Sequence, residues 1–146
     1  MEITFEPARE EDILPIYALN KALIDRYEDC AAIDYDRVLA WVKENIRRNL
    51  ASFSRVLAGG RIAGYFSLGP SEEKTELDSL FILPEFQNRG IGTQILRYCQ
   101  NRTENTLFLY VFKENTGAIN LYKRLGFEIS AQPRKTAWIM EYKKQD

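Results

Sequence analysis

Residues 80–96 read LFILPEFQNRGIGTQIL, and the order of characters in this stretch decides the fold. Leu80-Phe81-Ile82-Leu83 has strand character and stops at Pro84, which has no N–H to continue a central ladder. A short turn follows. Gln87-Asn88-Arg89-Gly90-Ile91-Gly92 then opens a segment with Ile91, Ile95, Leu96 and Cys99 at helical core spacing. A strand that turns straight into a helix leaves the first helical N–H groups unpaired and aims the positive dipole end outward. Glycines there let an anion approach the backbone. The stretch reads as a phosphate cradle, or as a turn whose two glycines serve geometry alone. It is not a P-loop, because no Gly-Lys-Ser/Thr closes it. Nor is it a dinucleotide fingerprint, since Ile95 stands where Gly or Ala is required and the next strand, LFLYVF, ends without an acid.

Working upstream, Thr75–Leu83 is the third strand of a meander. The period of two begins at Ser52, Gly59-Gly60 turns the chain into RIAGYFSL, and Gly69-Pro70 with the polar SEEK segment is expected to turn it again. Earlier still lie a short strand over residues 2–6 and two amphipathic helices. Ile13, Ile16, Tyr17, Leu23, Ile24 and Tyr27 mark the first helix; Tyr35, Val38, Leu39, Val42, Ile46 and Leu50 mark the second. Downstream come a strand Leu107–Phe112, a helix Ala118–Leu125 stopped by Gly126, and strands near Phe127–Ser130 and Ala137–Tyr142. The helix between strands 75–83 and 107–112 is a right-handed crossover, so those two strands pair in parallel while the meander is antiparallel. The expected class is α/β (α+β), with a mixed, mostly antiparallel sheet of six to seven strands.

The chain has 146 residues, 20 Lys+Arg, 21 Asp+Glu and no histidine. A Ser-His or Cys-His nucleophile, a His-ligated metal and a His general base are therefore excluded within it. Length and the lack of any linker predict one domain, 1–146. Cys30 and Cys99 form no CxxC pair, the acidic start MEITFEPAREEDI is unlike a secretory signal, and no apolar run spans a membrane. A cytoplasmic protein with reduced thiols is expected. A net charge of −1 argues against a general nucleic-acid binder.

Gln87, Gly90 and Gly92 resemble motif A of the GCN5-related N-acetyltransferase (GNAT) family, Gln/Arg-x-x-Gly-x-Gly/Ala. ENTGAINLYKRLGF resembles a second family block through Asn115, Ala118, Tyr122, Gly126 and Phe127. ITFEPAREEDILPIYAL and the terminal strand with Met140 and Tyr142 are also similar, so the resemblance covers nearly the whole chain and is weakest over residues 28–50. It implies an acyl-CoA N-acyltransferase fold, with helices on both faces of the sheet and a central parallel pair splayed at the cofactor site. It also implies acetyl-CoA as co-substrate and no metal. The pyrophosphate would lie on the N–H groups of Asn88, Arg89, Gly90, Ile91, Gly92 and Thr93, and the pantetheine along Phe81-Ile82-Leu83. Asn115 would contact the pantetheine or cap its helix. Arg89, Lys113, Lys123 and Arg124 are candidates for the 3′-phosphate.

Acetyl transfer to an amine needs a base, an oxyanion donor and a proton donor for the leaving thiolate. By the family match Tyr122 serves the thiolate; without it, Tyr122 reads as core. The period of two puts Glu76 and Asp78 on one face, together with Leu80 and Ile82. Glu76 stands eleven residues before Gln87, the spacing at which part of the family carries a base, so Glu76 is the candidate. Other branches place a glutamate on the following strand, where this chain has Tyr110. The oxyanion donor is expected to be an N–H near Ile82 or Leu83. Asp25–Asp36 carries a charge of −4, which suits a cationic acceptor or is a solvated loop. Tyr27, Tyr35 and Trp41 pack an amine, a peptide N-terminus or each other. The leading function is acetyl transfer from acetyl-CoA to a primary amine by direct attack in a ternary complex. A protein N-terminal or lysine acetyltransferase and an acyl-CoA-binding sensor without turnover are the alternatives. Partners are acetyl-CoA and the amine, with no nucleic acid or membrane, in a monomer or homodimer.

Overall fold

Gly59 and Gly60 take left-handed backbone angles, φ +60° and +77°. In this computed structural model, which describes residues 1–144, they join β2 (Phe53–Ala58) to β3 (Arg61–Ser71) as an antiparallel hairpin. β3 pairs in turn with β4 (Lys74–Ile82). The second turn is Glu72-Glu73, not Gly69-Pro70, which lie inside β3 opposite Glu76 and Thr75. β2 ends opposite Ser67, so the outer edge of β3 is free beyond that point and proline there loses no ladder bond.

With β1 (Ile3–Pro7), β5 (Thr106–Phe112), β6 (Glu128–Arg134) and β7 (Ala137–Lys143), these strands form one seven-stranded sheet in the order β1-β2-β3-β4-β5-β7-β6. Every neighbouring pair is antiparallel except β4 and β5, which are parallel. The expected mixed sheet is therefore present. The helix α3 (Ile91–Arg102) makes the crossover between β4 and β5.

Helices cover both faces. On one side α1 (Ile13–Tyr27) and α2 (Tyr35–Arg48) bury Ile16, Leu39 and Ile46 against Phe53, Tyr65 and Phe81. Leu50 falls in the short 3-10 turn after α2. On the other side α3 and α4 (Thr116–Arg124) bury Ile91, Ile95, Leu96 and Ile119 against Phe66, Leu77, Leu107, Leu109 and Met140. Among the described residues no helix is long and apolar enough to cross a membrane.

The entrance of α1 is locked to the sheet by a buried ionic cluster. Asp12 is 1% exposed and accepts from Arg55 Nε at 2.7 Å, Tyr65 Oη at 2.9 Å and the Arg9 N–H at 2.7 Å. Arg55 also reaches Glu11 at 2.7 Å and Glu6 at 3.3 Å. Burial alone would raise the Asp12 pKa, but the bonds from Arg55, Arg9 and Tyr65 outweigh it and hold the carboxyl below its ordinary value. Removing one partner of a buried pair leaves the other charge desolvated. Arg55→Ala is therefore expected to lower unfolding free energy by about 3–5 kcal/mol, and Tyr65→Phe, which keeps the ion pair, by about 1 kcal/mol. Urea denaturation at pH 7 measures both. A depressed carboxylate stabilises above its unfolded pKa and loses that effect as pH falls through the folded one, so the deficit of Asp12→Asn should shrink in acid.

Candidate active site

The parallel pair is short. β4 faces β5 at Thr75↔Leu107 and Glu76↔Phe108 alone, whereas β4 stays on β3 as far as Ile82 and β5 stays on β7 as far as Phe112. Each strand is held by its outer neighbour, so the two inner edges separate beyond Glu76 and leave a wedge between them. A β-bulge sits at its vertex: Leu68 pairs with Leu77 and Ser67 with Ser79, which makes Asp78 the extra residue.

The bulge changes which side chains share a face. Leu77 joins the α3/α4 core, and beyond the bulge Leu80 and Ile82 do so as well, while Phe81 joins the α1/α2 core. Glu76 and Asp78 thus share the α1/α2 side of the sheet, but Leu80 and Ile82, expected beside them, lie on the opposite side. A strict period of two cannot anticipate one inserted residue.

The backbone of β4 supplies free amide groups to the wedge. Leu83 N–H donates to Ala63 O at 2.8 Å, which identifies Gly64↔Ile82 as a non-hydrogen-bonded pair and, by alternation, Phe66↔Leu80 as another. The N–H and C=O groups of Leu80 and Ile82 therefore point away from β3, into the wedge. Of the two amides expected as oxyanion donors, that of Leu83 is engaged and that of Ile82 is directed at the gap. Gln87 Nε2 donates to Ile82 O at 3.1 Å, so this motif residue shapes the turn.

At the open end of the wedge the chain passes through Pro84–Phe86 into α3. Phe86 is buried in the α3/α4 core and anchors the loop, and the guanidinium groups of Arg61 and Arg89 lie 5.1 Å and 5.7 Å from its ring centroid. Asn88 and Gly90 are left-handed, φ +61° and +79°, and Gly90 caps α3 with no side-chain bond. From Asn88 through Thr93 no N–H has an acceptor among the described residues. Six consecutive donors at a helix start, joined to the positive dipole end, are the kind of arrangement that suits an anion. A Cβ on Gly92 would touch Leu121 Cδ2 at 3.4 Å, so α4 packs closely against this first turn.

Tyr122 lies on α4, 9% exposed, with its ring 5.8 Å from that of Phe127. Its hydroxyl has no protein partner among the described residues, yet no sealed side-chain polar atom there lacks one. The oxygen therefore opens to the surface while the ring is covered. Burial pushes its phenol up to about 12, so it stays protonated at neutral pH. Glu76 is half-buried, and desolvation, then the Asp78 charge and a hydrogen bond to Asp78, raise its carboxyl to about 7. Tyr122 and Glu76 thus belong to opposite faces of the sheet that the wedge between β4 and β5 divides.

Other candidates find structural employment. Asn115 Oδ1 accepts from Ala118 N–H at 3.4 Å and caps α4. In the acidic segment, Asp25 binds Lys21 at 2.8 Å and Tyr35, Glu28 binds Arg134 at 3.0 Å and Thr136, and Asp34 caps α2. Those three acids hold the α1–α2 loop in place. Tyr27 stacks on Phe112, while Trp41 is 65% exposed, so the three aromatic residues do not form one pocket. Lys113 lies over the Trp138 ring at 4.2 Å; Lys123 and Arg124 are exposed in the last turn of α4. Cys99 is core. Sequence reasoning missed Phe86, Arg61 and the bulge at Asp78. The PEF turn was the only signal for the first; pairing register, which a lone sequence does not carry, was needed for the last.

The Acetyltransferase (GNAT) family profile matches residues 16–127. This chain belongs to that family. A 60-residue stretch is 43% identical to an uncharacterized N-acetyltransferase of Methanocaldococcus jannaschii, covering 38% of this chain and only 26% of that protein. Over 125 residues it is 29% identical to a peptidyl-lysine N-acetyltransferase of Escherichia coli, covering 80% of this chain and 74% of the relative. Among solved structures, the PaiA N-acetyltransferase of Thermoplasma acidophilum in complex with coenzyme A superposes with a TM-score of 0.72 at 20% identity. That match covers 99% of this chain and 100% of the other. The fold is that of the acyl-CoA N-acyltransferases, with the splayed parallel pair in place.

The loop geometry has a direct test. Open space surrounds a Cβ placed on Gly90, so Gly90→Ala should cost only the left-handed strain, about 1–2 kcal/mol. Asn88→Gly should be neutral or stabilising, because glycine takes φ +61° without that strain. Equilibrium urea unfolding separates the two variants.

Proposed function

We propose that the protein transfers acetyl from acetyl-CoA to a primary amine by direct attack in a ternary complex. The observation that carries this reading is the combination of two backbone features: the run of free N–H groups from Asn88 to Thr93 and the edge of β4 left open at Leu80 and at the Ile82 N–H. The first matches a pyrophosphate. The second matches an extended chain bearing amides, which replaces the β5 pairing that β4 lacks. Coenzyme A has these two parts in this order. The Asn115 side-chain NH₂ is free for a further contact, since only its oxygen is engaged.

In this reading the thioester lies at the wedge and residues from both faces reach it. Glu76, or water held by it, takes the proton that the acceptor ammonium must lose; a carboxyl poised near neutrality is suited to that exchange. The nitrogen lone pair then attacks the thioester carbonyl, and the Ile82 N–H supports the developing oxyanion. As the C–S bond breaks, the sulfur takes up the negative charge. A Tyr122 phenol near 12 opposite a thiolate that protonates near ~8.5 donates a hydrogen bond to it, and solvent completes the protonation. The oxyanion collapses to the amide with no enzyme-bound acetyl group.

Thiol release across a panel of amines, amino acids and lysine peptides is the test. Activity should rise with pH through about 7, where Glu76 ionises, and Glu76→Gln should abolish that limb. Tyr122→Phe should lower kcat by roughly 10²-fold with acetyl-CoA affinity retained. Gly90→Val should weaken acetyl-CoA binding at least tenfold in calorimetry; unchanged affinity would remove the cradle from the mechanism. Tight acetyl-CoA binding without acceptor-dependent thiol release would mark a sensor.

A further inference from the structure

Asp78 is the residue that the β4 bulge inserts, and its side chain is exposed. In a bulge the extra residue and its successor face the same way. Ser79 accordingly sits beside Asp78, and its hydroxyl donates to Asp78 Oδ2 at 3.3 Å. Glu76, two positions earlier, shares that side of the strand, and the Asp78 charge helps to raise its carboxyl. One oxygen of Asp78 is thus occupied by Ser79, which leaves the other available to Glu76.

We propose that Asp78 is a positioning residue for the acetyl transfer: it holds the Glu76 carboxyl at the vertex of the wedge and, with it, forms a pair that shares one proton. This inference rests on the reading of Glu76 as the base. The bond from Ser79 stabilises charge on Asp78, so the shared proton resides on Glu76 and the negative charge on Asp78. Two like charges this close do not both ionise readily, and desolvation acts in the same direction on both.

Among the described residues no cation forms an ion pair with Glu76 or Asp78. Lys74, on the same strand, is tied to Glu141 of β7. On β5 the neighbours are Phe108 and Tyr110, the latter 54% exposed. β3 places Gly69 and Leu68 opposite, neither charged, and Glu128 of β6 pairs with Glu141 at the far side of the sheet. From the α1 side, Asp25 and Glu28 are engaged with Lys21, Tyr35, Arg134 and Thr136. The incoming acceptor ammonium is then the cation that lets the pair release its proton to solvent and leaves Glu76 ready to take the next.

Carbon-13 NMR titration of the carboxyl groups in the full chain tests the proposal without any acceptor. Glu76, assigned by the signal lost in Glu76→Gln, should titrate near 7. In Asp78→Asn its midpoint should fall by about one pH unit, and Asp78→Glu should restore it. In turnover, the acidic limb of kcat/KM should move to lower pH by the same amount in Asp78→Asn. Because Asp78 is exposed, the fold should survive the change, as circular dichroism will show. An unmoved Glu76 midpoint in Asp78→Asn, or an ordinary midpoint in the unaltered protein, overturns the pairing. If the midpoints behave as expected while Glu76→Gln retains full turnover at pH 8, the base assignment fails and the pairing stands.

Discussion

The structure is organised around an interruption: a parallel strand pair that lasts for two residue positions and then opens. Unpaired backbone amides at the centre of a sheet are unfavourable unless something satisfies them. Here the opening persists because β4 is bound along its length to β3 and β5 to β7. Neither strand can move toward the other without losing an antiparallel ladder. The bulge at Asp78 adds local twist where the strands begin to part.

Everything else holds the two halves of this divided sheet in place. The α1/α2 core fastens to one face through Phe53, Tyr65 and Phe81, and Asp12 with Arg55 locks the entrance of α1 to β2 and β3. The α3/α4 core fastens to the other, with Phe86 pinning the loop that leads from the free edge of β4 to the uncapped start of α3.

The missing histidine gives this arrangement its character. With no imidazole in the sequence, a carboxyl raised by its surroundings is one of the groups able to exchange a proton near neutrality. Glu76 is raised by desolvation and by Asp78, while the buried Tyr122 phenol stays protonated. In the acidic segment Asp25–Asp36, which stood out by composition, Asp25 is bonded to Lys21 and Tyr35 and Glu28 to Arg134 and Thr136. Charge counts by themselves do not reveal which acids already have partners.

Strand and helix order, the parallel crossover and the glycine-bearing turn that opens α3 were all legible in the sequence. Each depends on short-range patterns: a period of two, a period of 3.6, and glycine where the backbone must be left-handed. Tertiary structure alone decided the turn at Glu72-Glu73, the burial of Arg55 against Asp12 and the face on which Leu80 and Ile82 lie. These depend on pairing register and on contacts between residues distant in the chain. A bulge shifts register by one residue and reverses every side chain after it, and nothing in the local composition of TELDSLFIL marks where that residue is inserted.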